Sequence, residues 1–407
     1  MTSLKTLGLL ALSLLAGSAL AGVDTGSISR GAYLARVSDC IACHSAPGGK
    51  PNAGGLPMDT PVGKVYSTNI TPDKETGIGN YTYDEFARAL REGVAREGHS
   101  LYPAMPYTSF ARINDADMKD LYAYFMGGVE PVRQSNRASD IPWPLSMRWP
   151  LTVWRWLFHD ASPYQPVASR GAQWNRGAYL VQGMAHCGTC HTPRGFAFQE
   201  VALSERQPGY LTGARLAGWF AGNLTADPRE GLGNWSPGDL TDYLREGRNR
   251  YTAAFGPMAE VVHYSSQYIE DADLKAIAAY IKSLPSSGAA RVESVKTGAA
   301  LYAENCATCH QAAGQGHERV VPSLAGSSAV MARDPSSLIR VVLEGGVNAR
   351  TRHLAWEYSM PGYAHQLSDR DVAEVLSYLR QSWGNAAGAV SAQEVGEIRS
   401  SLPAIRH

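Results

Sequence analysis

The sequence carries no excess of either charge: 37 Lys and Arg balance 37 Asp and Glu across 407 residues. That balance excludes a basic nucleic-acid surface and an acidic, disordered tail. Charged residues are also few, at 18%, against about 25% in an ordinary soluble domain. Beyond the N-terminus no run reaches about 18 uninterrupted apolar residues, so no spanning helix is expected. A G-x-G-x-x-G loop is missing, which leaves no dinucleotide fingerprint, and no catalytic base stands beside a nucleophile. Cysteine is scarce as well, six in all, and none stands alone.

The six form three C-x-x-C pairs, Cys40/Cys43, Cys187/Cys190 and Cys306/Cys309, each followed at once by a histidine: His44, His191 and His310. With 11 histidines in the whole chain, that placement is no effect of composition. Two thiols three positions apart can both form thioethers with the vinyl groups of one porphyrin, and the next residue then offers its imidazole to the iron. A redox disulfide site of the thioredoxin type needs a βαβ context, which is lacking here. Zinc would need four ligands drawn from widely separated pairs and would not require the histidine. Three covalent c-type haems are therefore expected. Lys5, the leucine-rich stretch Leu7 to Leu15 and Ala19-Leu20-Ala21 read as a signal peptide over residues 1–21, cleaved before Gly22, so the mature chain is expected outside the cytoplasm.

Each pair belongs to a longer repeat. "RGAYLARVSDCIACH" (30–44) and "RGAYLVQGMAHCGTCH" (176–191) are near copies, and "TGAALYAENCATCH" (297–310) is a looser third. Downstream, "STNITPDKETGIGNYTYDEFARALREG" matches "AGNLTADPREGLGNWSPGDLTDYLREG". A helix opening at an acidic pair closes each copy, from Asp115, Asp271 and Asp369, and a tyrosine follows in the same register: Tyr124, Tyr280 and Tyr378. Self-similarity of this kind means duplicated domains. The expected fold is mainly α, with three tandem cytochrome c-type domains, each holding one covalent haem, at 22–135, 168–290 and 291–385. A Pro/Trp-rich linker at 136–167 joins the first two, and a tail at 386–407 follows the third. In the first closing helix Met118, Leu121, Tyr122 and Phe125 fall on one apolar face, and Asp115 or Asp117 is the expected N-cap. Gly31, Gly177 and Gly298 either let the closing helix cross closely or merely start the first helix of each copy.

A proximal histidine leaves one axial position on the iron, open or filled by His or Met; Met/His capping raises the reduction potential and suits electron transfer. Met258 is the only methionine between His191 and Cys306. Met105 in "YPAMPYTSF" and Met360 in "EYSMPGY" hold comparable places before their closing helices. Met105, Met258 and Met360 are thus the expected distal ligands. Met118 and Met126 fit core packing, Met58 and Met331 lack the position, and His99, His263 and His365 recur at no matching place. "VVPSLAG", around Pro322, is the region expected to offer a carbonyl to His310.

On these motifs the chain resembles the three-haem cytochrome c subunit of bacterial membrane-bound dehydrogenases, which serves quinone-dependent alcohol dehydrogenases and flavin-dependent gluconate, sorbitol and fructose dehydrogenases. The resemblance spans almost the whole mature chain and rests on "YSTNITPD", "GIGNYT", "YPAMPY", "WPLSMRWPL", "CGTCHTPRG" and "MPGY". It implies a subunit on the periplasmic face of the cytoplasmic membrane, peripherally attached. Such a subunit takes electrons from a flavin- or quinone-type dehydrogenase subunit, in some complexes with a small third subunit, and passes them through three haems to ubiquinone. The Cys, His and Met residues above match the family's ligand positions, and no substrate chemistry of the chain's own is implied. Two other readings stand beside it: a free periplasmic multihaem carrier, and a haem peroxidase-type enzyme, which would need an open iron. Some relatives carry a longer tail with an amphipathic membrane-binding segment, whereas "SAQEVGEIRSSLPAIRH" here is short and polar. The stretch "DIPWPLSMRWPLTVWRWLF" (140–158) reads either as a contact surface for the dehydrogenase or the membrane interface, or as a strap covering haem or core.

Overall fold

The computed structural model describes residues 25–286, 288, 297–354 and 356–402. The signal-peptide reading of 1–21 and the expected domain junction at 290–291 lie outside the described residues. Helices dominate, and the described strands form only two-stranded antiparallel ribbons. The first unit runs through α1 (Thr25–Val37), β1 (Pro57–Thr60), β2 (Gly63–Tyr66), α2 (Tyr83–Glu92) and the closing helix α3 (Asp115–Gly127). The linker holds α4 (Trp149–Phe158). The second unit repeats the order as α5 (Ala172–Tyr179), β3 (Ala214–Leu216), β4 (Trp219–Ala221) and α6 (Pro237–Glu246), and adds α7 (Pro257–Tyr264) before its closing helix α8 (Asp271–Lys282). The third consists of α9 (Ala299–Asn305), α10 (Ser336–Glu344), β5 (Gly346–Val347), β6 (Ser359–Met360) and the closing helix α11 (Asp369–Gln381), with α12 (Ala392–Ser401) after it.

The three glycines are where the first and closing helices cross. A Cβ on Gly31 would lie 1.9 Å from the Asp120 carbonyl oxygen and 2.7 Å from Tyr124 Cβ. On Gly177 it would lie 1.9 Å from the Ala276 carbonyl oxygen and 2.8 Å from Tyr280 Cβ, and on Gly298 2.2 Å from the Glu374 carbonyl oxygen. Asp120, Ala276 and Glu374 occupy one register of the closing helix, so the repeat preserves a backbone contact that no side chain fits. Between these crossings and the second motif the repeat is one residue longer than in the first copy. The extra residue is absorbed in a π-helical turn, Leu180–Met184, the usual way a helix accommodates a single insertion.

Met118, Leu121 and Phe125 are buried on α3, with Tyr122 half-buried beside them. The N-cap of α3 is Asn114 and not Asp115 or Asp117. Asn114 takes the extended conformation, and its side chain accepts from the Asp117 backbone N–H. Asp117, in the first turn, is needed elsewhere: it is 4% exposed and accepts from Arg30 at 3.1 Å and from the Tyr179 hydroxyl at 2.7 Å.

Tyr179 belongs to the second unit, and its counterpart Tyr33 reciprocates by donating to Asp273 on α8 at 2.6 Å. Arg176 completes the exchange with two bonds to Asp273, at 2.8 and 2.7 Å. Around this clasp the first two units share one apolar cluster, from Leu34 and Phe125 to Leu180 and Ile277. The third unit has its own cluster around Ile339, Leu343, Val372 and Leu376. It meets the second through different elements: Ser337 on α10 bonds both the N–H and the carbonyl of Phe220 on β4, and Arg215 pairs with Asp334 at 2.8 Å. The C-terminal helix α12 buries Val395 in the third unit's cluster, and Arg399 binds Asp369 at 2.7 Å. Among the described residues no helix is long and apolar enough to cross a membrane.

Candidate haem-binding sites

Each C-x-x-C-H motif is a single helical turn: Cys40–Cys43, Gly188–His191 and Ala307–His310. In the first two units a left-handed residue directly precedes the first cysteine, Asp39 at φ 52° and His186 at φ 36°. That kink ends the preceding helix and starts the new turn. No disulfide joins any two of the six cysteines.

The three histidines share one arrangement. His44 Nδ1 bonds the Thr68 carbonyl at 2.7 Å, His191 Nδ1 the Gly222 carbonyl at 2.6 Å, and His310 Nδ1 the Pro322 carbonyl at 3.0 Å. A carbonyl can only accept, so Nδ1 carries the proton in each case and Nε2 is left as the lone-pair nitrogen. Burial holds all three imidazoles below their ordinary pKa, opposed by the carbonyl bond. Neutral, oriented imidazoles with Nε2 unprotonated are what an iron requires of a proximal ligand. The donor set of every motif thus fits a covalently tethered haem.

Thr68 and Gly222 are contributors that the motif alone does not reveal. Both lie at the same place in the matched loops "STNIT" and "AGNLT", which the following asparagine braces. Asn69 Oδ1 accepts from the Thr71 N–H at 2.9 Å and Asn223 Oδ1 from the Thr225 N–H at 2.8 Å. The repeated loop was the available signal, since it keeps one carbonyl in one orientation.

Of the expected distal ligands, Met105 packs against the cluster that also receives Cys40 and Cys187, and Met360 against the cluster that receives Cys306. Met258, near the start of α7, is not brought into the cluster of Cys187. It joins Ala254, Val262 and Ala349 in a small separate cluster linked to the larger one through Tyr243. Met118 and Met331 are buried core residues. His263 bonds the Arg350 carbonyl at 3.1 Å through Nδ1, His99 lies 4.0 Å from Glu97, and His365 is exposed.

The first two motifs lie against each other. His186 Nε2 bonds the Ser38 carbonyl at 3.3 Å, Ser38 Oγ reaches Met184 Sδ at 3.6 Å, and the Phe110 ring meets the His186 ring edge-on at 5.6 Å. The linker helix α4 straps both units. Arg155 bonds Ser100 Oγ at 3.2 Å in the first, and the Trp154 indole N–H donates to the Ala197 carbonyl at 2.8 Å in the second.

The profile of the cytochrome c family matches residues 28–127 and 295–383, and the second motif falls between the matched regions. Over 393 residues the chain is 49% identical to the gluconate 2-dehydrogenase cytochrome c subunit of Pantoea cypripedii, covering 91% of this chain and 89% of that protein. It is 45% identical over 398 residues to the cytochrome c subunit of the quinone alcohol dehydrogenase of Gluconacetobacter polyoxogenes, covering 93% and 85%. The fructose dehydrogenase cytochrome subunit of Gluconobacter japonicus is 39% identical over 410 residues, covering 92% and 83%.

Proposed function

We propose, from the premise that this chain belongs to the cytochrome c subunits of bacterial dehydrogenases, that it carries three haems and delivers electrons from a partner dehydrogenase to membrane ubiquinone. Cys40 and Cys43, Cys187 and Cys190, and Cys306 and Cys309 are the tethers. His44, His191 and His310 are the proximal ligands, and Met105, Met258 and Met360 the distal ones. What haem supplies when bound is a one-electron couple at iron, so three of them give a path through the chain. The protein's own residues set its terms. Each Nδ1–carbonyl bond fixes the imidazole tautomer, and a soft methionine thioether, as a ligand, would favour the reduced iron.

The observation that carries the reading is the recurrence of one histidine geometry at all three motifs, including the second, which lies between the two regions matched by the cytochrome c profile. The contact between the first two motifs supports electron transfer between those two units. The partner oxidises a sugar, a sugar acid or an alcohol, as the names of the relatives suggest, and uses a flavin or quinone cofactor, as the family resemblance implies. The chain works on the periplasmic face of the cytoplasmic membrane after removal of residues 1–21.

Two measurements test this. The intact mass of the denatured, mature protein is expected to include three haems, and Cys187→Ala/Cys190→Ala to include two. Membranes of the source strain lacking this chain are expected to lose ubiquinone reduction with one of gluconate, ethanol or fructose and to regain it on complementation. A mass with two haems would overturn the stoichiometry, and unchanged quinone reduction with every dehydrogenase substrate would overturn the role.

A further inference from the structure

The ribbon β3–β4 stands behind the second motif, and both of its strands reach His191. The Gly222 carbonyl, directly after β4, accepts from His191 Nδ1 at 2.6 Å. The Gly213 N–H, directly before β3, donates to the His191 carbonyl at 2.7 Å. At its other end β4 sets the Trp219 indole against Gly256, which caps the helix α7 that bears Met258. One short strand thus touches the segments carrying both expected ligands of the second site. Its outer edge does not pair with another strand, and the third unit closes it. The Phe220 N–H donates to Ser337 Oγ at 2.7 Å, and that hydroxyl donates back to the Phe220 carbonyl at 3.1 Å. A single hydroxyl uses its acceptor and its donor on one residue. Around it, Arg340 of α10 lies over the Trp219 ring at 5.5 Å, Arg215 of β3 pairs with Asp334 at 2.8 Å, and Arg333 donates to the Gly213 carbonyl at 3.2 Å. In the first copy the matching edge is held by the linker instead, where the Asp140 N–H donates to the Lys64 carbonyl at 2.8 Å.

We propose that the docked third unit sets the reduction potential of the second haem, with Ser337 as the positioning residue. Phe220 stands two residues before Gly222, so the paired bonds to Ser337 fix the direction of the carbonyl that His191 faces. A firm bond at Nδ1 raises the basicity of the imidazole, which stabilises ferric iron and holds the potential down. Loosening β4 weakens that bond and lets the potential rise. The second haem is then poised by a unit that does not hold it. The proposal rests on the reading of the second motif as a haem site, which the intact mass tests by itself.

The test is a mediated redox titration of the mature holoprotein beside Ser337→Ala, Ser337→Thr and Arg215→Gln. The step of the second haem is identified as the one missing from Cys187→Ala/Cys190→Ala. Ser337→Ala should favour reduction of that haem about threefold, an upward shift of about 28 mV at about 59 mV per tenfold for one electron. The other two steps and the haem content by mass should not move. Ser337→Thr keeps the hydroxyl and should restore the wild-type step. Arg215→Gln loosens the same ribbon from β3 and should shift the same step upward, which carries the test if Ser337→Ala gives no holoprotein. A second step unmoved in both loosening variants, a rise equally large in Ser337→Thr, or a rise shared by the third haem would overturn the proposal. A wild-type mass with two haems would overturn the reading of the second motif instead.

Discussion

At the scale of single residues, the distal methionines are where the sequence and the packing pull apart. Met105 and Met360 pack in the same clusters as their attachment cysteines, whereas Met258 sits in a separate one with Ala349 of the third unit. Its place is fixed by the backbone. Gly256, at φ 54°, caps α7 against the Trp219 indole, where a Cβ would come within 2.7 Å of the ring. That contact sets the entry angle of the turn bearing Met258. If Met258 is a ligand, Met258→Ala should keep all three covalent haems and remove about one third of the weak far-red absorption of sulfur-ligated ferric haem, because the other two thioethers are untouched. One midpoint potential should fall with it. Absorption and redox titration read both, and an unchanged spectrum would return Met258 to core packing.

At the scale of elements, the closing helices show what could be read in advance. The apolar face of α3 and the six cysteines were legible as local patterns, whereas the repeated glycines left a close crossing and a helix start both open, and Gly298 serves as both. Partners across the repeats were not, since nothing in the spacing announces that Tyr33 will bond a carboxylate on α8. The same blindness led to Asp115 or Asp117 as the cap of α3, where Asn114 caps and Asp117 serves the neighbouring unit. Asp273 makes the clasp testable by pH. Burial pushes its carboxyl up, but Arg176 and the Tyr33 hydroxyl outweigh that and hold it below its ordinary 3.8. A depressed folded-state value means stability fully present above 3.8 and lost as pH falls through the lower folded value. Asp273→Asn should therefore cost about 1–2 kcal/mol at pH 7, since it leaves part-buried Arg176 with only the longer contact to Asp117 at 3.9 Å. It should also flatten the acid decline of the melting temperature below pH 4. An acid decline as steep as the wild type's would show that the clasp carries none of it.

At the scale of the whole molecule, the repeats do not pair alike. The first two interlock as near-equivalents, each lending a tyrosine from "RGAY" to the other's closing helix, over one apolar cluster. The third copy reads "TGAA" at that place, with Thr297 for the arginine and Ala300 for the tyrosine, so it has nothing to exchange. Its acidic residue Asp371, the counterpart of Asp117 and Asp273, instead closes a capping box with Ser368. The third unit consequently keeps its own cluster and docks through α10 and β4. This asymmetry predicts how damage spreads. Cys187→Ala/Cys190→Ala should loosen the first unit as well as the second, because Leu34 and Phe125 pack in the cluster that the second unit completes. Cys306→Ala/Cys309→Ala should leave the first two as resistant as in the wild type. Limited proteolysis with mass mapping of the fragments separates the cases. A second-motif variant whose first unit stays fully protected would mean that the shared cluster divides, and that the three copies are stable one by one.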